Sequence, residues 1–271
     1  MKPTWAWFAV MLASSSTSLH ADPGGAKTSG SPSASPSASP SRVADAPKST
    51  DTVVLLHGLG LNRLAMARMA SSLRRAGYQV VNPSYDSRRI PLEELASTWL
   101  PSILRAHVLD TPASLSAARV HFVTHSMGGI VLRAYLRDHT LPRLGRIVML
   151  APPNQGSEVA DHLRKNYAFR FFTGVNGLRL GTDAASLPRQ LGPTTAELGI
   201  IAGRRSLNPL FSSWIAGPDD GKVSVASARL DGMRDFIVLP ISHTWLQWRA
   251  TVIAQTKTFL LTGKFAHPPS P

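Results

Sequence analysis

Ser126, His243 and an Asp near position 220 are the residues of this chain whose types and order could do nucleophilic chemistry. A Ser hydroxyl is a poor nucleophile at its own pKa. It needs a base to take its proton, usually His, and an acid to orient that His and stabilise its charge. Ser126 lies in Val120-His-Phe-Val-Thr-His-Ser-Met-Gly-Gly-Ile-Val-Leu-Arg-Ala-Tyr-Leu136. Val120, Phe122 and Val123 form a strand-type run, and Ile130 to Leu136 carries apolar residues at helical spacing. A strand that turns into a helix over one exposed Ser is a nucleophile elbow. Small residues two places either side of the Ser let the chain pass close to its neighbours. Gly128 fills the second place; Thr124 fills the first, where the usual G-x-S-x-G pattern has Gly. A Ser here could also be a plain helix N-cap, but the flanking strand, the Gly pair and the distant partners favour the nucleophile.

The partners must stand on loops just beyond strand ends, on the same sheet edge as the elbow, in the order Ser, Asp, His. His243 follows the last strand, Phe236 to Leu239, and precedes a final helix, Thr244 to Leu261. The other His residues fit less well. His121 is inside the elbow strand, His107 ends an earlier helix, and His139 lies past the elbow helix. His162 is in an irregular segment and His267 in a Pro-rich tail, and the turn should point His125 away from Ser126. For the acid, Asp219 and Asp220 are adjacent before Gly221, and position alone does not separate them; Asp183, Asp231 and Asp235 are reserves. The developing negative oxygen needs two backbone N–H groups. Met127 should supply one, and Leu59, in the turn His57-Gly58-Leu59, the other. Gly58 and Gly60 permit unusual angles there. Such chemistry needs no cofactor and no metal.

Alternating elements must position these residues. Val53 to Leu56, Tyr78 to Val81, the elbow strand, Arg146 to Leu150, Leu198 to Ala202 and Phe236 to Leu239 read as strands. Asn62 to Ala76 and Pro91 to Leu109 read as helices, the second kinked at Pro101. This alternation predicts an α/β fold with a mostly parallel sheet covered on both faces. From 154 to 192 the alternation breaks, with Tyr167, Phe169, Phe171 and Phe172 in a Gly-containing segment. It reads either as a small lid over the site or as an irregular excursion with its own core.

The stretch from about Thr52 to Phe265 resembles the α/β-hydrolase superfamily, and within it the bacterial lipase/esterase group. Three pieces carry the resemblance: Val54-Leu-Leu-His-Gly-Leu-Gly60, Val123-Thr-His-Ser-Met-Gly-Gly129, and Asp220-Gly-Lys-Val223 followed by Ser242-His243. In such lipases an Asp-Gly-x-Val stretch carries the acid, which points to Asp220 over Asp219. Ala151-Pro-Pro-Asn-Gln-Gly-Ser157 is similar to a pocket-shaping Pro-x-x-Gly-Ser segment. The resemblance implies a serine hydrolase of carboxylic esters, lipid or short acyl, with Ser126, Asp220 and His243 catalytic and Leu59 and Met127 as the oxyanion hole. An acyltransferase or amidase would use the same triad. A catalytically silent hydrolase-like domain that binds a partner is the reading from another class.

The flanks read differently. Residues 1–21, with Lys2 and an apolar run from Trp5 to Ala13, look like a secretory signal peptide. Residues 22–50 are a Ser/Pro/Ala-rich linker with too little apolar bulk to offset the entropy of ordering. A hydrolase domain over 51–265 and a short tail over 266–271 follow. The expected location is the periplasm or the extracellular space. There is no Cys, so no disulfide or thiolate chemistry. Lys and Arg total 29 against 16 Asp and Glu, a net charge of +13. That balance permits weak attraction to an anionic membrane or envelope surface. Without a Lys/Arg run of five or more, or any nucleic-acid motif, nucleic-acid binding is not expected.

Overall fold

In a computed structural model, residues 51–110 and 118–267 are described. The expected signal peptide and linker lie outside the described residues, as does the end of the tail. The apolar runs form six strands: β1 (Thr52–Leu56), β2 (Gln79–Val81), β3 (Val120–His125), β4 (Leu144–Leu150), β5 (Leu198–Gly203) and β6 (Asp235–Leu239). They pair in the order β2-β1-β3-β4-β5-β6, every pair parallel. β1, β3 and β5 are buried along their whole length. That is why they read as near-continuous apolar runs and not as alternating ones.

Side chains along each strand still alternate between two cores. Val54, Leu56, Phe122, Ile147, Met149 and Ile200 face one side, with Met127, Ile130 and Val131 of the elbow helix Met127–Asp138 and with Leu92 to Val108. Val53, Leu55, Val123, Val148, Leu150 and Ile201 face the other. There they meet Met69 and Leu73 of the Ala67–Arg75 helix and Val252 and Phe259 of the Ala250–Thr262 helix. The parallel register aligns the strand ends: Leu56 with Thr124, Thr124 with Met149, Leu150 with Ile201, and Gly203 with Leu239. The residues that follow these ends therefore emerge at one edge, where the site must form.

Two helices differ from expectation. The stretch after Pro91 alternates α and π turns, Leu92–Glu94, Leu95–Trp99, Leu100–Leu104 and Arg105–Leu109. Pro101 has no N–H to donate back, and the π turn Leu95–Trp99 ends directly before the short helix that holds it. The final helix is split: a 3₁₀ stretch, His243–Trp248, ends at an extended Arg249, and the α-helix starts at Ala250.

The 154–192 segment holds four short helical pieces, Glu158–Leu163, Tyr167–Gly177, Leu178–Leu180 and Leu187–Gln190. Inside the second, Gly174 turns at φ 62°, where a Cβ would sit 2.0 Å from the Arg88 carbonyl oxygen. Buried Asn176 donates to the Ser87 and Ile90 carbonyls and accepts from Leu92 N–H. Arg133 of the elbow helix donates to the Asn154 carbonyl and side chain and to the Gly192 carbonyl, so one guanidinium grips both ends of the segment. Burial pulls its pKa down to about 10. Among the described residues no helix is long and apolar enough to cross a membrane.

Candidate active site

Ser126 sits between β3 and the elbow helix with φ 53° and ψ −126°, a region that costs a side-chain-bearing residue roughly 1–3 kcal/mol. Surrounding contacts hold it there. Its N–H donates to the Leu150 carbonyl at 2.9 Å, and its own carbonyl accepts from Gly129 N–H at 2.9 Å. Gly128 is required by close approach: an added Cβ would lie 2.6 Å from Leu56 O and 2.8 Å from His57 O. The departure at Thr124 has a structural counterpart in the second Gly. A Cβ on Gly129 would come within 3.2 Å of the buried Thr124 Oγ1, so the absent side chain at 129 makes room for the larger one at 124.

The turn after β1 passes directly over this elbow. A Cβ on Gly58 would meet Ser126 Cβ at 3.2 Å. His57, fully buried, stiffens the turn from below. Its ring stacks on Tyr85 with centroids 3.9 Å apart, its Nδ1–H donates to Gly58 O at 3.0 Å, and its Nε2 accepts from Tyr85 N–H at 3.3 Å. The Tyr85 hydroxyl donates to the His57 carbonyl. Burial lowers the His57 pKa to about 4, so the ring is neutral. The Leu59 and Met127 N–H groups have no acceptor among the described residues. Met127 opens its helix, where N–H groups lack intrahelical partners.

His243 reaches the site from the loop after β6. Its Nε2 lies 3.0 Å from Ser126 Oγ and its Nδ1 2.8 Å from Asp220 Oδ2. Asp220 is almost wholly buried. Its Oδ1 accepts from the N–H groups of Lys222 (3.0 Å) and Val223 (2.9 Å), and its carbonyl accepts from His243 N–H (3.0 Å). The adjacent Asp219 turns the other way. Its Oδ1 accepts from Gly221 N–H and from the Ser212 hydroxyl, so it shapes the turn. The reserves stand elsewhere: Asp183 pairs with Arg164 and Asp235 with His267, and the Asp231 carbonyl accepts from Thr194. The Ala151–Ser157 stretch fastens the acid loop. Ser157 Oγ donates to Lys222 O, Asn154 Nδ2 to Ala228 O, and Gln155 N–H to Ser227 O.

The structure thus brings Ser126, His243 and Asp220 into one hydrogen-bonded row beneath the Gly58–Leu59 turn. His125 was expected to point away. It does leave Ser126, yet its Nε2–H donates to the His243 carbonyl at 3.1 Å. No spacing rule announces a bond to a backbone carbonyl so far along the chain. His57 could be found, because a His-Gly pair directly after an apolar strand marks the turn. Lys222 is half-buried beside the acid; burial lowers its pKa and Asp220 opposes that.

A doubly covered parallel sheet with a strained Ser at a strand-to-helix turn defines an α/β hydrolase architecture. Residues 53–271 match the Alpha/beta hydrolase family, and the chain belongs to it. No curated protein matches the sequence. Among solved structures, it is similar to the mature lipase BlEst2 of Bacillus licheniformis, with 19% identity and TM-score 0.60 over 80% of this chain and 93% of that one. It is similar to the esterase Pf2001 of Pyrococcus furiosus, with 18% identity and TM-score 0.54 over 79% and 83%. It also resembles phospholipase PlaB of Legionella pneumophila, with 17% identity and TM-score 0.61 over 79% of this chain but only 58% of that one.

Proposed function

We propose that this hydrolase is an exported serine hydrolase that cleaves carboxylic esters of lipid or short-acyl type. The observation that carries the reading is the continuous row from Ser126 Oγ through His243 to Asp220, with contacts of 3.0 and 2.8 Å. Asp220 accepts the Nδ1–H and so leaves Nε2 free to accept the Ser126 proton. Ser126 Oγ attacks the ester carbonyl carbon as its proton passes to His243. The carbonyl oxygen takes the negative charge and receives the Leu59 and Met127 N–H groups. The C–O bond to the alcohol then breaks, and His243 returns the proton to the departing alkoxide. Water, deprotonated by the same His, releases the acid from the acyl-enzyme and restores the Ser126 hydroxyl. The lipase, esterase and phospholipase names of the structural neighbours agree with this substrate class, as does the exposed apolar surface of Tyr167 and Phe171 in the 154–192 segment. The net charge of +13 agrees with weak attraction to anionic envelope surfaces.

The test is release of p-nitrophenol from butyrate and palmitate esters by the wild type and Ser126→Ala. Turnover that vanishes in the variant supports the reading, and the ratio of the two esters distinguishes short-acyl from lipid preference. Transfer of the acyl group to an added alcohol or amine in place of water would mark an acyltransferase. No turnover on either ester and no fluorophosphonate adduct on Ser126, with intact folding, would leave a silent binding domain.

A further inference from the structure

His125 is the last residue of β3 and is joined to Ser126 by one peptide bond. It is 2% exposed. Its Nε2 lies 3.1 Å from the His243 carbonyl oxygen, which can only accept, so Nε2 carries the proton. In the neutral ring Nδ1 is a bare lone pair, and it is buried with no partner among the described residues. That edge of the ring abuts the turn after β1: a Cβ on Gly58 would stand 2.9 Å from Nδ1 and 3.4 Å from Cε1. The His125 and His243 rings are 5.0 Å apart at 47°.

These contacts close a circuit. It runs from Ser126 through one peptide bond to His125, across a hydrogen bond to the His243 carbonyl, along His243 to its ring, and back to Ser126 Oγ. The other end of the His243 backbone is held by its N–H on Asp220 O at 3.0 Å. The His243 side chain therefore pivots from a main chain pinned on both sides, and one pin is attached to the nucleophile itself. We infer that His125 is a positioning residue: a single imidazole, donating through Nε2, that sets the Ser126–His243 distance and backs the Gly58–Leu59 turn against the elbow. The inference rests on the ester-hydrolase reading of Ser126, His243 and Asp220. Burial is the main influence that disfavours a second proton on the ring, helped by positive charge at His243 and Lys222 and opposed by the hydrogen bond to the His243 carbonyl.

Two variants and one spectrum test it. His125→Phe keeps a flat ring and removes the donor; His125→Gln restores an N–H near the Nε2 position. In His125→Phe, kcat on p-nitrophenyl butyrate should fall about tenfold or more, the size of one lost buried hydrogen bond. KM should stay within about twofold, because His125 does not touch substrate. Phosphonylation of Ser126 by a fluorophosphonate should slow in parallel, and His125→Gln should recover most of both rates. Nitrogen-15 spectra of the whole wild-type protein should show His125 protonated at Nε2 only. A kcat for His125→Phe within about twofold of wild type, or a change confined to KM, overturns the positioning role. So does a His125 ring protonated at Nδ1, which decides the matter even where the Phe variant does not fold. A wild type that hydrolyses no ester and takes no fluorophosphonate instead sinks the hydrolase reading. A wild type that does both while His125→Phe and His125→Gln match it sinks only the positioning role.

Discussion

Asp220→Asn exchanges one carboxylate oxygen for an NH₂ group, and no orientation of the amide reproduces what the carboxylate does. Three donors converge on Asp220: Lys222 N–H at 3.0 Å and Val223 N–H at 2.9 Å on Oδ1, and His243 Nδ1–H at 2.8 Å on Oδ2. If the amide nitrogen faces Lys222 and Val223, donors face donors in a buried place, at roughly 1–3 kcal/mol for each unsatisfied group. If it faces His243, the two backbone donors keep their oxygen, but the amide now donates to Nδ1. The imidazole proton moves to Nε2, and the ring can no longer accept from Ser126 Oγ. The second arrangement satisfies more groups, so it should prevail, and the protein should fold with the wrong tautomer. The same tautomer imposed on a Ser-His-Asp protease lowers kcat by about 10⁴-fold, or roughly 5.5 kcal/mol in the barrier. We predict a loss of that order here, with KM little changed. Asp219→Asn is the control. Its oxygen can still accept from Gly221 N–H and the Ser212 hydroxyl, so its rate should stay close to wild type. Initial rates on p-nitrophenyl butyrate, with thermal melts to confirm folding, decide the matter. A kcat for Asp220→Asn within about tenfold of wild type, or equal damage from Asp219→Asn, would refute the assignment of the acid.

Three further predictions come from the same geometry. Gly128→Ala places a Cβ 2.6 Å from Leu56 O, and backbone must move. Overpacking should cost about 1–3 kcal/mol, and displacement of Ser126 should lower kcat about 10²-fold; Gly129→Ala, which meets Pro152 and Thr124 side chains at 3.2 Å, should be milder in melts and rates. Stability should fall as pH drops from about 6.5 to about 4, because unfolded His57 takes a proton across that window and folded His57 does not. The loss from His57 is on the order of 3 kcal/mol, and His121 and His125, shifted the same way, add to it. Urea midpoints against pH check this, and a His57→Gln slope no shallower than wild type would contradict it. Arg133→Met strips the donor from the Asn154 and Gly192 carbonyls. It should cost about 3 kcal/mol, a melting drop of roughly 6–12 °C, and Arg133→Lys should not restore it because one amine cannot span both oxygens.

The strands were legible because burial on both faces turns β1, β3 and β5 into unbroken apolar runs. The elbow was legible because strand period and helix period meet at Ser126 within a few residues. Asp219 and Asp220 were not separable by position. Which of two adjacent carboxylates turns inward depends on the Asp219–Ser224 bridge and on donors from Lys222 and Val223, not on residue type. The grip of Arg133 on both ends of the 154–192 segment was likewise hidden, because its partners are carbonyl oxygens, which every residue carries. The same holds for His125. Apolar periodicity reports which face is buried; it is silent on which backbone group a buried polar side chain will find. The break at Arg249 is hidden for a related reason, since Trp245, Leu246 and Trp248 sustain an apolar pattern that a 3₁₀ stretch also satisfies.

The most direct test of the account is where a fluorophosphonate lands on the folded wild-type protein. One adduct per chain, located by peptide mass on Ser126, absent in Ser126→Ala and slowed in His243→Ala, is the predicted result. No adduct on Ser126 while ester turnover persists would contradict it, since the hydrolysis would then run through some other group.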